Sequence, residues 1–535
     1  MKRLKDVFAN KTMSDFPRAA SVLSGILLAL AYRFEFLWWL CLFALIPFCS
    51  VLLQKRHKAR RVFYYTVIFC LSYYSLTLLW LYELVPVLAP NTGTVGAYII
   101  MTLAVLAVSL IMGLAHALPM TLLSRALRGK VYDCLLVSAM YISGELIIGS
   151  MGDLAFPWGR LANIAVPFLP FVQSAALFGS VFVSFIIVLI NALLAYAVQL
   201  LRSKQTRRCL LCAGAAVLLF VCNTVGGCIN MAAVKSTEAS TEVLIVQGDF
   251  PSNSKWSTTV DKMLKTYLEL SRSGVTENTS LVIWPETAIP VDLSQYPSYM
   301  KQMSGFAKEY DVTLVVGAMH NTAEGTYNVM QVIYPDGTVS QPYAKQLLVP
   351  MGEYTPFKEV IGIILPGVLE GLAGRDLLHG RETVVFQTPC GSLNGIICYE
   401  SIQPSLQLRA TAMGSELITM ITKDSWFGTS SALRQHLSHA RLRAVENGRY
   451  LVRSGNSGIT AIIAPDGEIM AQLETYTRGS LTGCVAFLDS RTPYSVTGDL
   501  PAALLTLPCI ILFILDIIKS WTIKKCRIYH DNPAK

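Results

Sequence analysis

Three ionisable side chains stand at the ends of predicted β-strands in the one long polar segment of a hydrophobic chain. They are Glu286, Lys345 and Cys398, and each follows a short run of apolar or β-branched residues. A thiolate is a nucleophile, a carboxylate can take the proton from a thiol, and an ammonium can lower the pKa of the thiol and later hold an oxyanion. Together these residue types predict covalent catalysis through Cys398.

Each of the three residues has a simpler interpretation when it is taken alone. An isolated Glu or Lys is usually a solvated surface residue, and an isolated Cys in a strand usually packs in a core. The sequence that surrounds each residue favours the catalytic interpretation, because a recognisable motif flanks every one of them.

The composition sets these residues beside a membrane. Of 535 residues, 53% are hydrophobic and 15% are charged, which is more apolar than a soluble globular chain. Most of the apolar runs approach the roughly 20 residues that cross the hydrocarbon. The runs are residues 19–32, 36–53, 62–81, 95–118, 131–148, 171–201, 209–229 and 500–518. We expect an α-helical transmembrane bundle of about eight spans.

Basic residues recur in every second loop between these runs. The clusters lie at residues 2–11, 55–61, 125–130, 202–208 and 519–527. Because positively charged loops stay in the cytoplasm, both termini are expected there and the polar segment 231–499 is expected on the outer face. None of the clusters is interleaved with aromatic residues, so we expect no nucleic-acid partner.

The polar segment alternates between strand and helix patterns. The predicted strands are residues 242–247, 280–284, 312–316, 328–334, 384–388, 417–422 and 459–464, and the predicted helices are residues 258–271, 298–310 and 432–447. Such alternation predicts an α/β layered domain.

The motifs around the three residues resemble those of the nitrilase superfamily. They are Trp284-Pro285-Glu286-Thr287-Ala288, Tyr343-Ala344-Lys345, Leu348-Val349-Pro350-Met351-Gly352-Glu353-Tyr354, Ile397-Cys398-Tyr399-Glu400-Ser401, Asp424-Ser425-Trp426-Phe427-Gly428 and the segment 441–450. The resemblance implies a Glu-Lys-Cys triad in an αββα sandwich.

With spans on both sides of this domain, the chain as a whole resembles the apolipoprotein N-acyltransferase family. Gln247-Gly248, Trp256 and Phe156-Pro157-Trp158 also carry this resemblance. It implies three parts: a transmembrane bundle at 1–230 with about seven spans, an extracytoplasmic nitrilase-like catalytic domain at 231–495, and a C-terminal transmembrane helix with a short cytoplasmic tail at 496–535.

The family resemblance also implies an activity and its partners. Cys398 would take an acyl chain from a phospholipid, typically phosphatidylethanolamine, and pass it to the N-terminal cysteine amine of diacylglyceryl lipoproteins at a bacterial cytoplasmic (inner) membrane. Glu353, Tyr399 and Glu400 would support the site. Trp256 and Trp158 would bind substrate or form a lid, with Trp256 on a mobile lid arm and Trp158 in a loop that suits the lipid headgroup layer. No cofactor is implied.

Alternatives remain open from the sequence. His436 and His439 lie three residues apart on a predicted helix, but no third ligand with plausible spacing is evident, so we expect packing and no metal. A membrane-tethered nitrilase-type amidohydrolase would share the triad and use water as acceptor. A non-catalytic membrane-anchored paralogue would tolerate loss of Glu286 and Lys345.

Overall fold

The structure is a computed structural model that describes residues 16–54, 58–234, 239–250, 259–364 and 376–531. Within this part of the chain the residues form two compact units. Among the described residues, the helical unit comprises residues 16–54, 58–79, 102–227 and 499–531, and the sheet unit comprises residues 80–101, 228–234, 239–250, 259–364 and 376–498.

Helices follow the apolar runs of the sequence. They are α1 (Pro17–Arg33), α2 (Ile46–Leu52), α3 (Ala59–Thr77), α4 (Val85–Leu123), α5 (Asp133–Gly149), α6 (Leu161–Ala165), α7 (Leu169–Val172), α8 (Ala175–Phe178), α9 (Ser180–Arg202), α10 (Thr206–Val234) and a C-terminal helix, Leu500–Asp531. A 3₁₀ helix, Glu35–Leu42, precedes α2.

Several of these helices can span a membrane. Among the described residues, five helical stretches are long and apolar enough: Glu35–Leu52, Ala59–Pro90, Thr92–Ala126, Ser180–Arg202 and Thr206–Val234. Helices α1 and α5 also lie on predicted spans and have 17 residues each. The prediction of an apolar helical region is confirmed, while the count of about eight spans stays a prediction.

A buried ion pair joins two segments of the helical unit. The Glu145 and Arg160 side chains are 3% and 5% exposed, and Arg160 Nε lies 3.6 Å from Glu145 Oε2. Glu145 Oε1 also accepts from the Leu161 amide at 3.0 Å, and Arg160 donates to Ser180 Oγ at 2.7 Å. Since a buried charge is costly unless it is paired, this pair holds α5 against the loop before α6.

Two β-sheets form the centre of the sheet unit. Its strands are β1 (Thr241–Gln247), β2 (Thr279–Ile283), β3 (Ile289–Asp292), β4 (Thr313–Asn321), β5 (Thr326–Ile333), β6 (Tyr343–Ala344), β7 (Val385–Thr388), β8 (Gly391–Ile397), β9 (Leu417–Thr422), β10 (Leu451–Gly455), β11 (Ala461–Ile463), β12 (Ile469–Gln472) and β13 (Gly479–Val485). The first sheet has the order β13-β1-β2-β4-β5-β6 with β3 beside β4, and the second has the order β12-β11-β10-β9-β8-β7.

Helices cover the outer faces of both sheets. They are α11 (Val260–Gly274) and α12 (Pro297–Tyr310) on the first sheet, and α14 (Pro404–Ala412) and α15 (Ala432–Asn447) beside the second; α13 (Lys358–Ile364) and α16 (Pro493–Thr497) are short. One core lies between the sheets, a second between the first sheet and its helices, and a third between the second sheet and α15. The predicted αββα sandwich is therefore confirmed.

The inner faces of the two sheets approach closely at Gly395 in β8. A Cβ atom at this position would lie 2.7 Å from Met330 Sδ and 3.1 Å from the Tyr343 ring. A larger residue would displace the Met330 thioether and crowd the Tyr343 ring, so Gly395 allows close packing between the strands that carry the two halves of the site.

Candidate active site

The three predicted catalytic residues extend from strands that face the core between the sheets. Glu286 lies just beyond β2, Lys345 directly follows β6, and Cys398 directly follows β8. Their side chains are 6%, 1% and 8% exposed, and Cys398 belongs to the inter-sheet core. Charged side chains are almost never this buried unless they are paired, so the burial of Glu286 and Lys345 itself indicates a specialised site.

Lys345 is held between two carboxylates. Its Nζ lies 3.1 Å from Glu286 Oε1 and 2.8 Å from Glu353 Oε1. Burial acts to lower the pKa of Lys345, but the attraction of Glu286 and Glu353 outweighs it and raises that pKa well above 10.5. Glu353 is fixed in turn, because its Oε2 accepts from the Val349 amide at 2.8 Å. Lys345 is thus a permanent cation in this pocket.

Asn328 is a further member of the site that the sequence did not single out. Its Nδ2 donates to Glu286 Oε1 at 2.8 Å and lies 3.2 Å from Glu353 Oε1. Its backbone oxygen accepts from the Lys345 amide at 2.9 Å. In the sequence, Asn328 is the first residue of the predicted strand 328–334. A polar side chain at the end of an apolar strand was the one local sign that it could belong to a site.

Replacing Asn328 by leucine should slow the expected acylation of Cys398 by about tenfold to 100-fold, because the Glu286 carboxylate loses a donor that, together with Lys345, orients it. The free energy of unfolding should fall by about 1–3 kcal/mol, since a hydrogen bond to a charged group is lost. The acylation rate is measured from incubations with phospholipid that are quenched at successive times and analysed by intact-mass spectrometry. Gln331→Leu is the matched control: it lies on the same strand and faces the opposite side. Equal rates for the two variants would contradict this role of Asn328.

The nucleophile candidate sits at a strained turn. Cys398 has a backbone φ of 53°, in the left-handed region, and it begins the 3₁₀ helix Cys398–Ile402. Burial raises the pKa of the Cys398 thiol, the Glu286 charge raises it further, and Lys345 lowers it. The resting thiol is therefore protonated, and the reaction needs a base that removes its proton as the substrate binds.

Glu400 connects the loop after β6 to the nucleophile strand. Its Oε1 accepts from Tyr343 Oη at 2.9 Å and from the Gln346 amide at 2.6 Å. Its Oε2 accepts from the Ile397 amide at 2.7 Å. Burial is the largest influence on the pKa of Glu400 and raises it, while these donors and Lys345 act to lower it; the resulting pKa is about 7. The side chain therefore braces the segment that carries Lys345 against the one that carries Cys398.

Glu400→Gln should weaken this brace, because the new amide group places an N–H where a carboxylate oxygen now accepts one. We expect a loss of about 1–3 kcal/mol in unfolding free energy and about a tenfold to 100-fold slower acylation. Glu416→Gln is the control, since Glu416 accepts from the Ser392 amide near the start of β8. Thermal unfolding and acylation rates measured on both variants check this, and similar results for the two would contradict it.

The other predicted site residues lie in different places. The Tyr399 side chain is 7% exposed beside the nucleophile, where burial raises the pKa of its hydroxyl. Trp158 lies in the helical unit, is 1% exposed and stacks on Phe156 at 5.8 Å. Its packing there gives no sign of substrate contact, which stays a prediction. Trp256 lies outside the described residues.

A second group of side chains lies near Cys398 on its own sheet: Asp424 follows β9, the strand paired with β8, and His436 lies on α15. Possible ligand atoms of Cys398, Asp424 and His436 all lie within 4.8 Å of one another. In the sequence we considered His436 and His439 as a metal site and expected none. No sequence pattern indicated that Asp424 lies beside His436. The expectation of no metal stays a prediction.

Two family models match the chain. The model described as carbon-nitrogen hydrolase matches residues 243–490, which is most of the sheet unit. The model described as the apolipoprotein N-acyltransferase N-terminal domain matches residues 24–193. The two matches do not overlap, and their order agrees with the order of the motifs in the sequence.

Proteins described as apolipoprotein N-acyltransferase are similar over most of the chain. One from Azotobacter vinelandii is 32% identical, over 73% of this chain and 75% of its own. One from Chromobacterium violaceum is 29% identical over 94% and 93%, and one from Geobacter metallireducens is 31% identical over 64% and 67%. Among solved structures, Saccharomyces cerevisiae Nit3, a member of branch 10 of the nitrilase superfamily, matches with a TM-score of 0.37 and 16% identity, over 49% of this chain and 95% of its own. On identity and coverage of these bacterial relatives, the chain belongs to the apolipoprotein N-acyltransferase family.

Proposed function

We propose that this protein transfers an acyl chain from a phospholipid, through a thioester on Cys398, to the α-amine of the N-terminal cysteine of a diacylglyceryl lipoprotein. One observation carries the proposal: a buried thiol directly follows β8 in the core between the sheets, and the charges of Glu286 and Lys345, which are themselves paired at 3.1 Å, act on it. The activity named for the bacterial relatives supports the same reaction.

In the first half of the proposed reaction, Glu286 takes the proton from the Cys398 thiol, and the thiolate attacks an ester carbonyl of the phospholipid. The carbonyl oxygen gains negative charge, which the Lys345 ammonium stabilises. The carbon–oxygen ester bond then breaks, and the lysophospholipid leaves with the proton that Glu286 returns. Cys398 now carries the acyl chain as a thioester.

In the second half, the free amine of the lipoprotein attacks the thioester. Glu286 takes a proton from the amine, Lys345 again stabilises the oxyanion, and the carbon–sulfur bond breaks. The products are an amide on the lipoprotein and the Cys398 thiolate, which recovers its proton from Glu286. Glu353 and Asn328 keep Lys345 and Glu286 in place during both halves.

The setting that we propose is a bacterial cytoplasmic membrane crossed several times by the chain. The basic clusters between the apolar runs favour both termini in the cytoplasm and the catalytic domain, residues 231–495, on the extracytoplasmic face. The transmembrane parts are then residues 1–230 and 496–535. The donor that we propose is phosphatidylethanolamine.

Intact-mass measurement of the purified protein tests both halves. Incubation with phosphatidylethanolamine should add the mass of one acyl chain, on Cys398. Addition of a synthetic diacylated lipopeptide with a free N-terminal cysteine amine should move that mass to the peptide. If the acyl mass is lost equally fast without the peptide, the protein is a hydrolase that uses water as acceptor. If no donor lipid acylates Cys398, the proposal is wrong.

A further inference from the structure

A buried charged cluster lies behind the nucleophile, outside the Glu-Lys-Cys set. Asp424, His436 and Arg453 are 0% exposed. His436 Nδ1 lies 3.0 Å from Asp424 Oδ1, and Arg453 donates to Asp424 Oδ2 at 2.7 Å. Thr422 Oγ1 also donates to Asp424 Oδ1, at 2.8 Å. These contacts link β9, the turn after it, α15 and β10 into one network.

The network is packed around the Asp424 carboxylate. Burial acts to raise the pKa of Asp424, but Arg453 and His436 outweigh it and hold that pKa below its usual range. Gly458 closes the network on one side, because a Cβ atom there would collide with Asp424 Oδ2. The carboxylate is therefore ionised and fixed, and it can orient the imidazole beside it.

The opposite edge of the imidazole ring contacts the backbone of the nucleophile. His436 Nε2 lies 3.0 Å from the Cys398 carbonyl oxygen. A carbonyl oxygen only accepts hydrogen bonds, so Nε2 must carry the hydrogen. Its lone pair is then absent, and Nε2 can neither take a proton from the thiol nor bind a metal ion.

The other ring nitrogen is engaged as well. Nδ1 lies 3.0 Å from Asp424 Oδ1 and 3.0 Å from an Arg453 nitrogen. It either donates to Asp424 or accepts from Arg453. In both cases the hydrogen on Nε2 points at the Cys398 carbonyl, so the role of the ring is the same in either protonation state.

The contact falls on a strained backbone position. Cys398 has a φ of 53°, a left-handed conformation that a residue with a Cβ atom adopts only when its surroundings hold it. The direction of the Cys398 carbonyl is coupled to ψ, and hence to the orientation of the 3₁₀ turn that follows. A donor fixed by Asp424 and Arg453 therefore restrains the carbonyl of the strained turn that carries the thiol.

We propose that Asp424, His436 and Arg453 act as positioning residues for the nucleophile, through a hydrogen bond from His436 Nε2 to the Cys398 carbonyl. This inference rests on the proposed function, because it takes Cys398 as the residue that becomes acylated. It assigns no proton transfer to His436, so Glu286 remains the base.

The test compares two amide variants of His436 that differ in reach. In His436→Gln the amide nitrogen extends to the position of Nε2 and can donate to the Cys398 carbonyl, while in His436→Asn it stops at the position of Nδ1. Both variants keep a polar group beside Asp424. Ser438→Ala is the control on the same helix, where the hydroxyl donates only to the Gln435 carbonyl. Single-turnover acylation by phosphatidylethanolamine is followed by intact mass from pH 6 to pH 9.

We expect His436→Asn to acylate about 100-fold more slowly than the wild type, as a misplaced reacting group does, and His436→Gln to recover at least about tenfold of that loss. The phospholipid concentration for half-maximal rate and the pH profile should not change. Equal rates for the two amide variants would overturn the proposal. A pH–rate profile that loses its acidic limb in both variants would also overturn it, because His436 would then act as a base. Acylation that stops with a chelator and returns with Zn²⁺ would overturn it as well, because the cluster would then bind a metal ion.

The wild-type arm separates this inference from the proposed function. If the wild type acquires no acyl mass with any phospholipid, the proposed function fails. If the wild type and Ser438→Ala are acylated and His436→Asn is acylated as fast, only the positioning role fails. Near-ultraviolet circular dichroism on each variant reports whether the sandwich has folded.

Discussion

Cys398→Ala should remain folded and form no acyl-enzyme with phospholipid. Loss of a catalytic nucleophile lowers a rate by at least about 10⁴-fold, so no acyl mass should accumulate. The fold should tolerate the change, because alanine keeps the Cβ atom at the strained φ and removes only one sulfur atom. We expect a loss of about 1–2 kcal/mol in unfolding free energy for this small cavity.

Cys390→Ala is the matched control for this prediction. The Cys390 thiol is half-buried in the same domain, just before β8, and burial raises its pKa also. This variant should acylate at the wild-type rate. An acyl label on the Cys398→Ala protein, or its loss from Cys390→Ala, would move the nucleophile away from Cys398.

Lys345→Met should have the second largest effect, on both transfer and stability. The substitution removes the cation that we propose as the stabiliser of both oxyanions, which corresponds to about a 10²–10³-fold loss of rate per donor removed. It also leaves the buried Glu286 and the partly buried Glu353 without the counter-charge that they share. Breaking a buried pair in this way costs about 3–5 kcal/mol. One carboxyl should then retain its proton at neutral pH, so Glu286 also becomes a poor base.

The sign of the pH effect follows from the direction of the Lys345 shift. Its folded pKa lies above its usual value of 10.5, so the stability from the ion pair is fully present below that value and is lost only as pH rises through the folded pKa. The difference in unfolding free energy between wild type and Lys345→Met should thus persist across neutral pH and shrink in strong alkali.

Lys358→Met is the matched control for the lysine substitution. Lys358 pairs with Asp376 at 2.6 Å, but the lysine side chain is 53% exposed. Exposed pairs contribute about 0–1 kcal/mol, and this one lies outside the triad, so transfer should stay near the wild-type rate. If Lys345→Met acylated as fast as Lys358→Met, Lys345 would not be the oxyanion residue.

Some elements were predictable because their patterns are local. Strand β9 and helix α15 have the bounds that the sequence predicts, 417–422 and 432–447. A run of apolar β-branched residues and a helix that ends before a glycine need no distant partner to be recognised. The apolar runs predicted helices for the same reason, since length and composition are enough.

Strand β10 shows why other elements were missed. Leu451–Gly455 contains Arg453, and an arginine normally indicates a surface residue. In the folded protein Arg453 is fully buried, because it donates to Asp424 from 29 positions along the chain. A local sequence pattern carries no information on that pairing, so residues 451–455 were not among the predicted strands.

The surroundings of Trp158 and Asn328 also depend on tertiary contacts that the sequence does not show. An aromatic residue between two apolar runs is typical of the headgroup layer, yet Trp158 is buried among the helices, where its carbonyl accepts from Tyr32 Oη at 2.8 Å. The sequence indicates an ordinary strand residue at Asn328, whereas in the structure β5 places its side chain within hydrogen-bond distance of Glu286.

The sequence by itself determined the chemistry available to this protein: a thiol, a carboxylate and an ammonium at strand ends, in a polar domain flanked by apolar helices. Those properties are encoded in residue type and local pattern. The tertiary structure alone decided that Lys345 is shared by Glu286 and Glu353, that Glu400 braces the segment carrying Lys345 against that carrying Cys398, and that a buried Asp-His-Arg cluster stands behind the thiol. Such contacts join residues far apart in the chain, and only folding brings them together where burial makes each charge depend on its partner.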